Sequence, residues 1–393
     1  MLSFDYQNPT RIIYGEGEHL NIGALLAAPN RRVLLHYGGA SMKRTGLYDA
    51  VTQSLIKAGV DFIELGGVRP NPELELVRQG ITLCREQGVN YILAVGGGSV
   101  IDSAKAIAMG TTSPHDIWSI YEDKLPMDAA PLPVATILTL PAAGSENSPN
   151  TVISNMATER KLGYGHPDLR PALSIIAPEL FLTLPKEQMA YGACDMLCHI
   201  FERYFTLTPD TELVDALSEA TMRTIMQQAL RLVQDPQDVK AWGQLALAGM
   251  IAHNNILGLG REQSWACHGL EHELSAIYDV PHGAGLAVVV PAYFEHVWDA
   301  APELFVQWAT QVMGVSPNRN TEAVVKEGIQ RLRQWYQALG LPADMQALGI
   351  PANADWKLMA ESAIKVYRGS LPGVKHIDLD AAISIYKHAC ANC

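Results

Sequence analysis

The sequence predicts an α/β domain followed by a mainly helical domain, and three observations support this fold class. Through the first half, short apolar runs alternate with segments of helical periodicity, as in a parallel sheet wrapped by helices. After Thr183 the chain changes to long stretches rich in Ala, Leu, Met and Gln. Its 393 residues also exceed what one ordinary domain holds. We therefore expect two domains, at residues 1–182 and 183–393.

The elements of the first half follow from apolar runs and their spacing. Short apolar runs predict strands at residues 33–37, 62–65, 91–95, 134–140 and 172–176. Apolar residues at three- and four-residue intervals that end at glycine predict helices over residues 46–59 and 73–88. A further helix is expected to begin near Pro185, since proline is favoured at the start of a helix.

Composition and charge exclude several classes of protein. Hydrophobic residues make up 48% of the chain and charged residues 18%, which is typical of a globular protein. The formal net charge of -12, without a run of Lys and Arg, argues against nucleic acid as a partner. No apolar run approaches the ~18 residues of a membrane span, and the amino terminus lacks the pattern of a signal peptide. Six scattered cysteines suit a reducing compartment, so we expect a cytoplasmic protein.

A glycine-rich turn between a predicted strand and a predicted helix is the first candidate site. Gly96, Gly97 and Gly98 let the backbone approach a pyrophosphate, and the amide groups and helix dipole at Ser99 favour its negative charge. Ser99 and Asp102 also fit a capping box, in which both residues have a purely structural role. Because the G-x-G-x-x-G fingerprint is absent, a bare turn is the alternative interpretation.

A second glycine turn follows the predicted strand at residues 33–37. Two such turns at the carboxyl ends of one parallel sheet predict a dinucleotide site. An acid at this turn would bind the adenosine ribose of NAD and repel a 2′-phosphate, whereas the turn offers one hydroxyl and two cations. This favours NADP(H) over NAD(H). The alternative interpretation is that the two cations are simply solvated side chains at the start of a helix. The residues concerned are Gly38, Gly39, Ser41, Lys43 and Arg44.

The second half carries carboxylate and imidazole groups with the spacing of metal ligands. Asp195 and His199 lie four residues apart, as do His268 and His272, so each pair shares one face of a helix. His282 follows in a Pro-His-Gly turn that brings its ring back toward the same point. Such a set suits iron(II), zinc or manganese, while each histidine taken alone is more often a hydrogen-bonded core residue.

Two other metal sites stay open from the residues alone. The segment His268-Gly-Leu-Glu271-His272 fits H-x-x-E-H, the signature of an inverted zinc peptidase with Glu271 as general base. That interpretation leaves the glycine turns without a role, and Glu271 is otherwise a solvent-facing carboxylate or one that supports a ligand. The second alternative is a zinc site with cysteine thiolates as ligands. Its candidate cysteines are Cys194, Cys198 and Cys267. The other interpretation of these cysteines is that they bind no metal and fill space in the core as small apolar side chains.

Together these motifs resemble the iron-containing alcohol dehydrogenase family, most closely its NADPH-dependent aldehyde reductase and butanol dehydrogenase branch. The likeness spans nearly the whole chain. In order, the motifs are Asn8-Pro-Thr-Arg-Ile-Ile-Tyr-Gly-Glu-Gly, Tyr37-Gly-Gly-Ala-Ser-Met-Lys, Pro70-Asn-Pro, Gly96-Gly-Gly-Ser, Thr139-Leu-Pro-Ala-Ala-Gly-Ser-Glu and His282-Gly-Ala-Gly. The resemblance implies a dehydroquinate synthase-like fold, in which an α/β dinucleotide-binding domain faces an all-α metal-binding domain across a cleft.

The resemblance also implies roles for individual residues. The metal ligands of the family match Asp195, His199, His268 and His282, and His272 matches a histidine near the nicotinamide. The cofactor positions match Gly38 and Ser41 at the 2′-phosphate, Asn71 beside the nicotinamide half, Gly97, Gly98 and Ser99 at the pyrophosphate, and Thr139 and Ser145 in a second cofactor segment. The chain departs from the family in reading Asp195-Met-Leu-Cys-His, where many members have Asp-Ala-Leu-x-His.

Together, these expectations predict a metal-dependent oxidoreductase that acts on a small alcohol or aldehyde. One divalent metal, Fe²⁺ or Zn²⁺, would act as a Lewis acid on the substrate oxygen while hydride passes to or from the nicotinamide. The proton would pass through the cofactor ribose to His272, which acts as a relay. The resemblance makes a homodimer the expected oligomer. Alternatives from other classes are the zinc peptidase, a dehydroquinate synthase-like lyase, and an NADPH sensor that is not an enzyme.

Overall fold

The protein, described here by a computed structural model over residues 1–390, divides into two compact units. One unit comprises residues 7–184 and 237–246. The other comprises residues 1–6, residues 185–236 and the described chain from Leu247 onward. The domain limits at residues 182 and 183 stay a prediction, and nothing in the sequence marked residues 237–246 as part of the α/β unit.

The α/β unit contains a six-stranded parallel sheet in the order β1-β8-β5-β4-β2-β3, together with the separate antiparallel pair β6 and β7. The predicted parallel sheet is therefore confirmed. The strands are β1 (Arg11–Tyr14), β2 (Arg32–Tyr37), β3 (Asp61–Leu65), β4 (Tyr91–Gly96), β5 (Val134–Leu138), β6 (Asn150–Asn155), β7 (Arg160–Gly165) and β8 (Leu173–Ile176).

Helices cover the strands of the first unit and make up most of the second, as the change of composition after Thr183 predicts. The helices of the α/β half are α1 (Ile22–Leu26), α2 (Ser41–Arg44), α3 (Leu47–Lys57), α4 (Leu74–Gln87), α5 (Gly98–Thr112) and α6 (Ile117–Asp123). The later helices are α7 (Lys186–Tyr204), α8 (Glu212–Gln234), α9 (Val239–His253), α10 (Ala266–Tyr278), α11 (His282–Val297), α12 (Pro302–Gln311), α13 (Thr321–Ala338), α14 (Trp356–Val366) and α15 (Leu379–His388). Within residues 1–390, no helix combines the length and apolar character that a membrane crossing needs.

The order of the strands places the two glycine turns side by side. Strands β2 and β4 are direct neighbours, with Tyr37 opposite Val95, so the turns that follow them begin at the same edge of the sheet. Both strands are buried along nearly their whole length, and most of their residues are apolar, as is usual for interior strands of a parallel sheet. The two turns thus form the carboxyl-end edge at which open α/β sheets bind ligands.

His36 is a buried polar side chain on β2, between the edge strand β3 and β4. Its Nδ1 lies 2.8 Å from the carbonyl oxygen of Leu65 and its Nε2 lies 2.8 Å from the hydroxyl oxygen of Ser103. A carbonyl only accepts, so Nδ1 carries the proton and Nε2 accepts from the serine. Burial lowers the pKa of His36 to about 4, and the ring is therefore neutral in the folded protein.

The unfolding free energy should decrease as the pH falls from about 6.5 toward 4. In this range the unfolded chain protonates His36 at an ordinary pKa of 6.5 while the folded chain does not. Protons therefore favour the unfolded state, by up to about 3 kcal/mol at the acid end. Urea titrations at several pH values test this, with His36→Gln as the comparison. Equal pH dependence in the wild-type and variant proteins would contradict the assignment.

Candidate active site

Helix α7 supplies the first two candidate metal ligands. Asp195 and His199 lie one turn apart on this helix, and they are only 5% and 4% exposed. Asp195 Oδ1 lies 3.5 Å from His199 Nδ1, and neither atom has a hydrogen-bond partner. A buried carboxylate and a buried imidazole without partners are energetically costly, so these atoms indicate a site for a bound group.

Helices α10 and α11 bring two further imidazoles to the same carboxylate oxygen. His268 Nε2 lies 3.5 Å from Asp195 Oδ1, and His282 Nε2 lies 3.7 Å from it. His282 reaches this place because Gly283 lets α11 lie directly against α7. A Cβ atom at residue 283 would come within 2.1 Å of the backbone oxygen of Tyr191. The four predicted ligands therefore come together from three helices.

The spacing of these atoms fits a divalent cation. Ligand atoms that each lie ~2.0–2.2 Å from a tetrahedral metal are separated by about 3.5 Å. Asp195, His268 and His282 each offer a ligand atom within 4.8 Å of the others, and His199 joins through its 3.5 Å separation from Asp195. His268 Nε2 has no hydrogen-bond partner either. One carboxylate with three imidazoles suits iron(II) or zinc.

Two buried carboxylates lie behind the candidate ligands. Glu202 contacts Nδ1 of His268, and Glu271 contacts Nδ1 of His282. Glu271 is fully buried and accepts a hydrogen bond from the hydroxyl of Ser275, so the solvent-facing interpretation of this residue is wrong. Glu202 was not among the predicted site residues, although it follows His199 by three residues and therefore lies on the same side of α7.

The three cysteines beside the ligands are fully buried thiols. Burial raises the pKa of each thiol above its ordinary value, which disfavours the thiolate that zinc requires. The Sγ atom of Cys198 lies 3.7 Å from Nδ1 of His268, but that nitrogen already contacts the Glu202 carboxylate. The structure therefore favours the interpretation of Cys194, Cys198 and Cys267 as small apolar fillers.

The glycine turn after β4 leads directly into helix α5. The helix begins at Gly98, with Gly97 as its N-cap residue and no side chain capping its amide groups. Ser99 thus lies inside the first turn, so the predicted capping box formed by Ser99 and Asp102 is wrong. Gly96 packs so tightly that a Cβ atom would lie 2.3 Å from a methyl group of Val100. The turn presents main chain rather than side chains, as a pyrophosphate site requires.

Asp102 and Ser145 bind each other beneath this turn. The hydroxyl of Ser145 donates to the carboxylate of Asp102, whose other oxygen accepts from the backbone N–H of Val152 at 2.9 Å. Thr139 follows β5, and its backbone N–H donates to the carbonyl of Gly96 at 3.0 Å. These contacts join α5 to the segment after β5, while the cofactor roles of Asp102, Thr139 and Ser145 stay predictions.

Lys105 is the buried cation at the centre of this network. Its Nζ donates to Ser145 Oγ at 3.0 Å and to the carbonyl oxygens of Ser148 and Asn150 at 2.9 Å each. Burial lowers the pKa of Lys105 to about 8, although the nearby Asp102 carboxylate opposes this. Lys105 therefore holds the segment after β5 in place.

Replacing Lys105 with methionine should lower the unfolding free energy by about 3 kcal/mol or more. Methionine is also unbranched and is one atom shorter, so it fills most of the same space but leaves two carbonyl oxygens and the Asp102 carboxylate without their buried partner. Urea unfolding measures the change, and Lys57→Met on the exposed face of α3 is the matched control. A loss no larger than that of the control would show that Lys105 does not hold the segment.

The turn after β2 presents the predicted groups to solvent. Ser41, Lys43 and Arg44 are exposed on the short helix α2, and Gly38 and Gly39 precede it. The ammonium group of Lys43 lies 4.8 Å above the ring of Tyr48 and 5.8 Å above that of Tyr37.

An acidic side chain that sequence analysis overlooked lies at the end of the neighbouring strand β3. Glu64 accepts hydrogen bonds from the hydroxyls of Tyr37 at 3.0 Å and Tyr48 at 2.7 Å. Glu64 could not be identified from the sequence because it lies far along the chain from the turn after β2. Both carboxylate oxygens are thus engaged by tyrosines that also contact Lys43.

Comparison with known proteins agrees with the features described in each of the two units. A family profile described as iron-containing alcohol dehydrogenase matches residues 9–178, and the profile of the family's C-terminal domain matches residues 189–390. The chain belongs to the iron-containing alcohol dehydrogenase family. The resemblance inferred from the motifs, and the oxidoreductase class that it implies, are confirmed.

Relatives of this iron-containing alcohol dehydrogenase cover nearly the whole chain. It is 38% identical to NADH-dependent butanol dehydrogenase A of Clostridium acetobutylicum, over 98% of this chain and 99% of that one. It is 31% identical to the NADPH-dependent aldehyde reductase YqhD of Escherichia coli K12, over 99% of this chain and all of that one. The crystal structure of NADH-dependent butanol dehydrogenase A from Thermotoga maritima superimposes with a TM-score of 0.95 at 38% identity, covering 99% of both chains.

The alcohol dehydrogenase family also implies roles for His272 and Asn71. His272 lies one turn after His268 on α10 and is half-buried, with its ring centre 6.1 Å from that of His268 and 5.5 Å from that of His282. Asn71 has a positive φ of 55°, which is uncommon for residues other than glycine. His272 thus lies beside the candidate metal ligands, and the roles of both residues stay predictions.

Proposed function

We propose that the protein is a metal-dependent dehydrogenase that transfers hydride between NADP(H) and a small alcohol or aldehyde. The observation that carries this proposal is the convergence of three imidazole nitrogens within 3.5–3.7 Å of Asp195 Oδ1. The α/β unit adds two glycine turns at neighbouring strand ends. The names of the relatives, butanol dehydrogenase and aldehyde reductase, support a small alcohol or aldehyde as substrate.

Each side chain of the helical site has a distinct task in this proposal. Asp195, His199, His268 and His282 hold the cation, which when bound supplies Lewis acidity toward the substrate oxygen. The Asp195 carboxylate offsets one of the two metal charges and thereby lowers the cost of burying the ion. His272, beside the ligands and half-buried, acts as a relay for the proton that the alcohol loses during oxidation and that the aldehyde gains during reduction.

Elemental analysis combined with an aldehyde panel tests the proposal. The purified protein should contain about one iron or zinc ion per chain. It should oxidise NADPH only when a small aldehyde is added. Chelation should abolish this activity and re-addition of the metal should restore it. Undiminished turnover after the metal has been stripped would refute the proposal.

The preference for NADP(H) rests on the charges around the turn after β2. Ser41, Lys43 and Arg44 offer one hydroxyl and two cations, all exposed, and such groups bind phosphates through charge-assisted hydrogen bonds. The carboxylate of Glu64 is already engaged by two tyrosine hydroxyls. Because the named relatives include both NADH- and NADPH-dependent enzymes, the local charges are the basis of this preference.

Replacing Lys43 with glutamate should lower kcat/KM for NADPH by about tenfold to a hundredfold. A charged hydrogen bond to the 2′-phosphate contributes about 1.5–3 kcal/mol, and the new carboxylate also repels the phosphate. NADH lacks this phosphate, so its kcat/KM should change far less. Steady-state kinetics with both cofactors measure the ratio, and Lys57→Glu on α3 serves as the control. An equal effect on both cofactors would contradict the preference.

We also propose that the enzyme is a cytoplasmic homodimer. Cys84, Cys194, Cys198 and Cys267 are buried free thiols, as a reducing compartment allows, while Cys390 near the end of the chain is disulfide-bonded. Sedimentation velocity of the purified protein tests the oligomeric state, and a monomer would contradict it.

A further inference from the structure

Glu202 makes an unusual set of hydrogen bonds within the helical unit. The residue lies on α7, one turn beyond His199, and is 2% exposed. Its Oε1 accepts from the backbone N–H groups of Cys267 at 2.6 Å and His268 at 3.2 Å. Its Oε2 contacts Nδ1 of the His268 ring. One buried carboxylate thus binds both the main chain and the side chain of a candidate ligand.

The backbone contacts show that Glu202 caps helix α10 from another helix. This helix begins at Ala266, and its N-cap residue Trp265 has a φ of 70° and makes no side-chain cap. Cys267 and His268 are therefore the second and third residues of α10, whose N–H groups a capping side chain ordinarily binds. A carboxylate at this end also interacts favourably with the helix dipole.

The side-chain contact determines which nitrogen of His268 carries the proton. A carboxylate accepts hydrogen bonds, so Nδ1 is the protonated nitrogen when it faces Glu202. In the neutral ring, which is the form that binds a metal, Nε2 then keeps its lone pair, and this is the atom 3.5 Å from Asp195 Oδ1. The same carboxylate therefore sets the tautomer of the ring, its orientation and the start of the helix that carries it.

We propose that Glu202 is a positioning residue that prepares His268 for metal binding and thereby sets the affinity of the site. This inference rests on the proposed metal site. Carboxylates that hold ligating histidines typically change metal affinity by about tenfold to a hundredfold. Here the effect is coupled to the helix, because a rotation of the carboxylate would release the α10 amide groups and the imidazole together.

Glu202→Gln separates the positioning role from simple packing. An amide has the size of a carboxylate but one oxygen instead of two, and its NH₂ group donates. If the amide oxygen keeps the hydrogen bonds from the backbone N–H groups, the NH₂ group faces Nδ1 of His268. It then favours the tautomer of His268 with the proton on Nε2. That tautomer cannot bind a metal through Nε2. Glu202→Gln is therefore expected to impair metal binding more than it impairs folding.

Glu219 offers a matched control within the same unit. It is 7% exposed and accepts hydrogen bonds from the hydroxyl of Tyr204 at 2.9 Å and the amide of Gln307 at 2.7 Å. Its contacts include none of the four candidate ligands. Glu219→Gln thus removes a buried, hydrogen-bonded carboxylate without touching the metal site.

Metal affinity, measured by chelator competition with Co²⁺ and Zn²⁺ on metal-free full-length protein, tests the proposal. Glu202→Gln should bind both ions about tenfold to a hundredfold more weakly than the wild-type protein. Its Co²⁺ complex should also show a changed visible absorption spectrum. Glu219→Gln should match the wild-type affinity within about twofold, a difference of ~0.4 kcal/mol. Glu202→Asp should lie between the wild-type protein and Glu202→Gln, because it keeps the charge but shortens the side chain.

The possible results separate this inference from the proposed function. Unchanged metal affinity in Glu202→Gln, with a loss of stability like that of Glu219→Gln, would overturn the positioning role alone. If Glu202→Gln does not fold, wild-type affinity in Glu202→Asp overturns it equally. A wild-type protein that binds no metal, or a His268→Ala protein that binds metal as tightly as wild type, would overturn the metal site and this inference with it.

Discussion

Replacing His268 with alanine should remove the bound metal and lower kcat/KM for aldehyde reduction by about a thousandfold or more. The substitution deletes the nitrogen 3.5 Å from Asp195 Oδ1, so the buried carboxylate loses one of the three imidazoles around it. The Lewis acid contributes several kcal/mol to transition-state stabilisation, and about 4 kcal/mol corresponds to a thousandfold. Elemental analysis and steady-state kinetics on the same preparation measure both effects.

His272→Ala is the matched control for this prediction. His272 lies on the same face of α10 as His268, one turn later, but is proposed to move a proton rather than to bind the metal. The variant should retain its metal while turnover falls by about a hundredfold. Binding of NADPH, followed by its fluorescence, should be unchanged in both variants. Full activity in a metal-free His268→Ala protein would end this account of the site.

Replacing Gly283 with alanine should destabilise the protein by about 3 kcal/mol or more and also weaken metal binding. The added Cβ atom would lie 2.1 Å from the backbone oxygen of Tyr191, and backbone atoms cannot rotate away as a side chain does. Helix α11 must therefore move away from α7. Because His282 is the first residue of α11, that movement takes its Nε2 away from Asp195.

Urea unfolding and chelator competition measure these two effects. Gly163→Ala in β7 is the control, because a Cβ atom there would meet only ordinary contacts, the nearest at 3.7 Å from a methyl group of Val152. It should change the unfolding free energy by less than about 1 kcal/mol. If Gly283→Ala resembles this control in stability and affinity, then the close contact between α7 and α11 does not position His282.

The elements of the sheet could be predicted from the sequence where they are apolar. Strands β2, β3, β4 and β5 begin within one residue of the predicted positions, because each contains a short apolar run. Of these, β2, β4 and β5 are buried, as interior strands of a parallel sheet usually are, while β3 lies at the edge. The short edge strand β1 and the pair β6 and β7 were not predicted. Their residues include Arg, Asn, Ser, Lys and Gly, which have weak strand propensity, so tertiary packing decides their conformation.

The spacing of residues along the chain was enough to find candidate metal ligands. It could not decide between His272 and His282 as a ligand, and it did not reveal the supporting carboxylate Glu202. Intervals of four residues place Asp195 with His199, and His268 with His272, on common helix faces. The choice of His282 over His272 as a ligand came from the resemblance to the family. Glu202 was overlooked because its partner His268 lies 66 residues away along the chain, a distance at which no local pattern marks a contact.

By itself, the sequence determined the membership of the chain in its family, the parallel sheet, the two glycine turns and the residue types of the metal site. The tertiary structure alone decided which faces of α7, α10 and α11 meet, that Glu271 is buried behind His282, and that Asp102 binds Ser145 and Val152 rather than capping its helix. Spacing along one helix specifies neighbours on that helix. Contacts between helices depend instead on packing, as at Gly283, where the absence of a side chain brings His282 to Asp195.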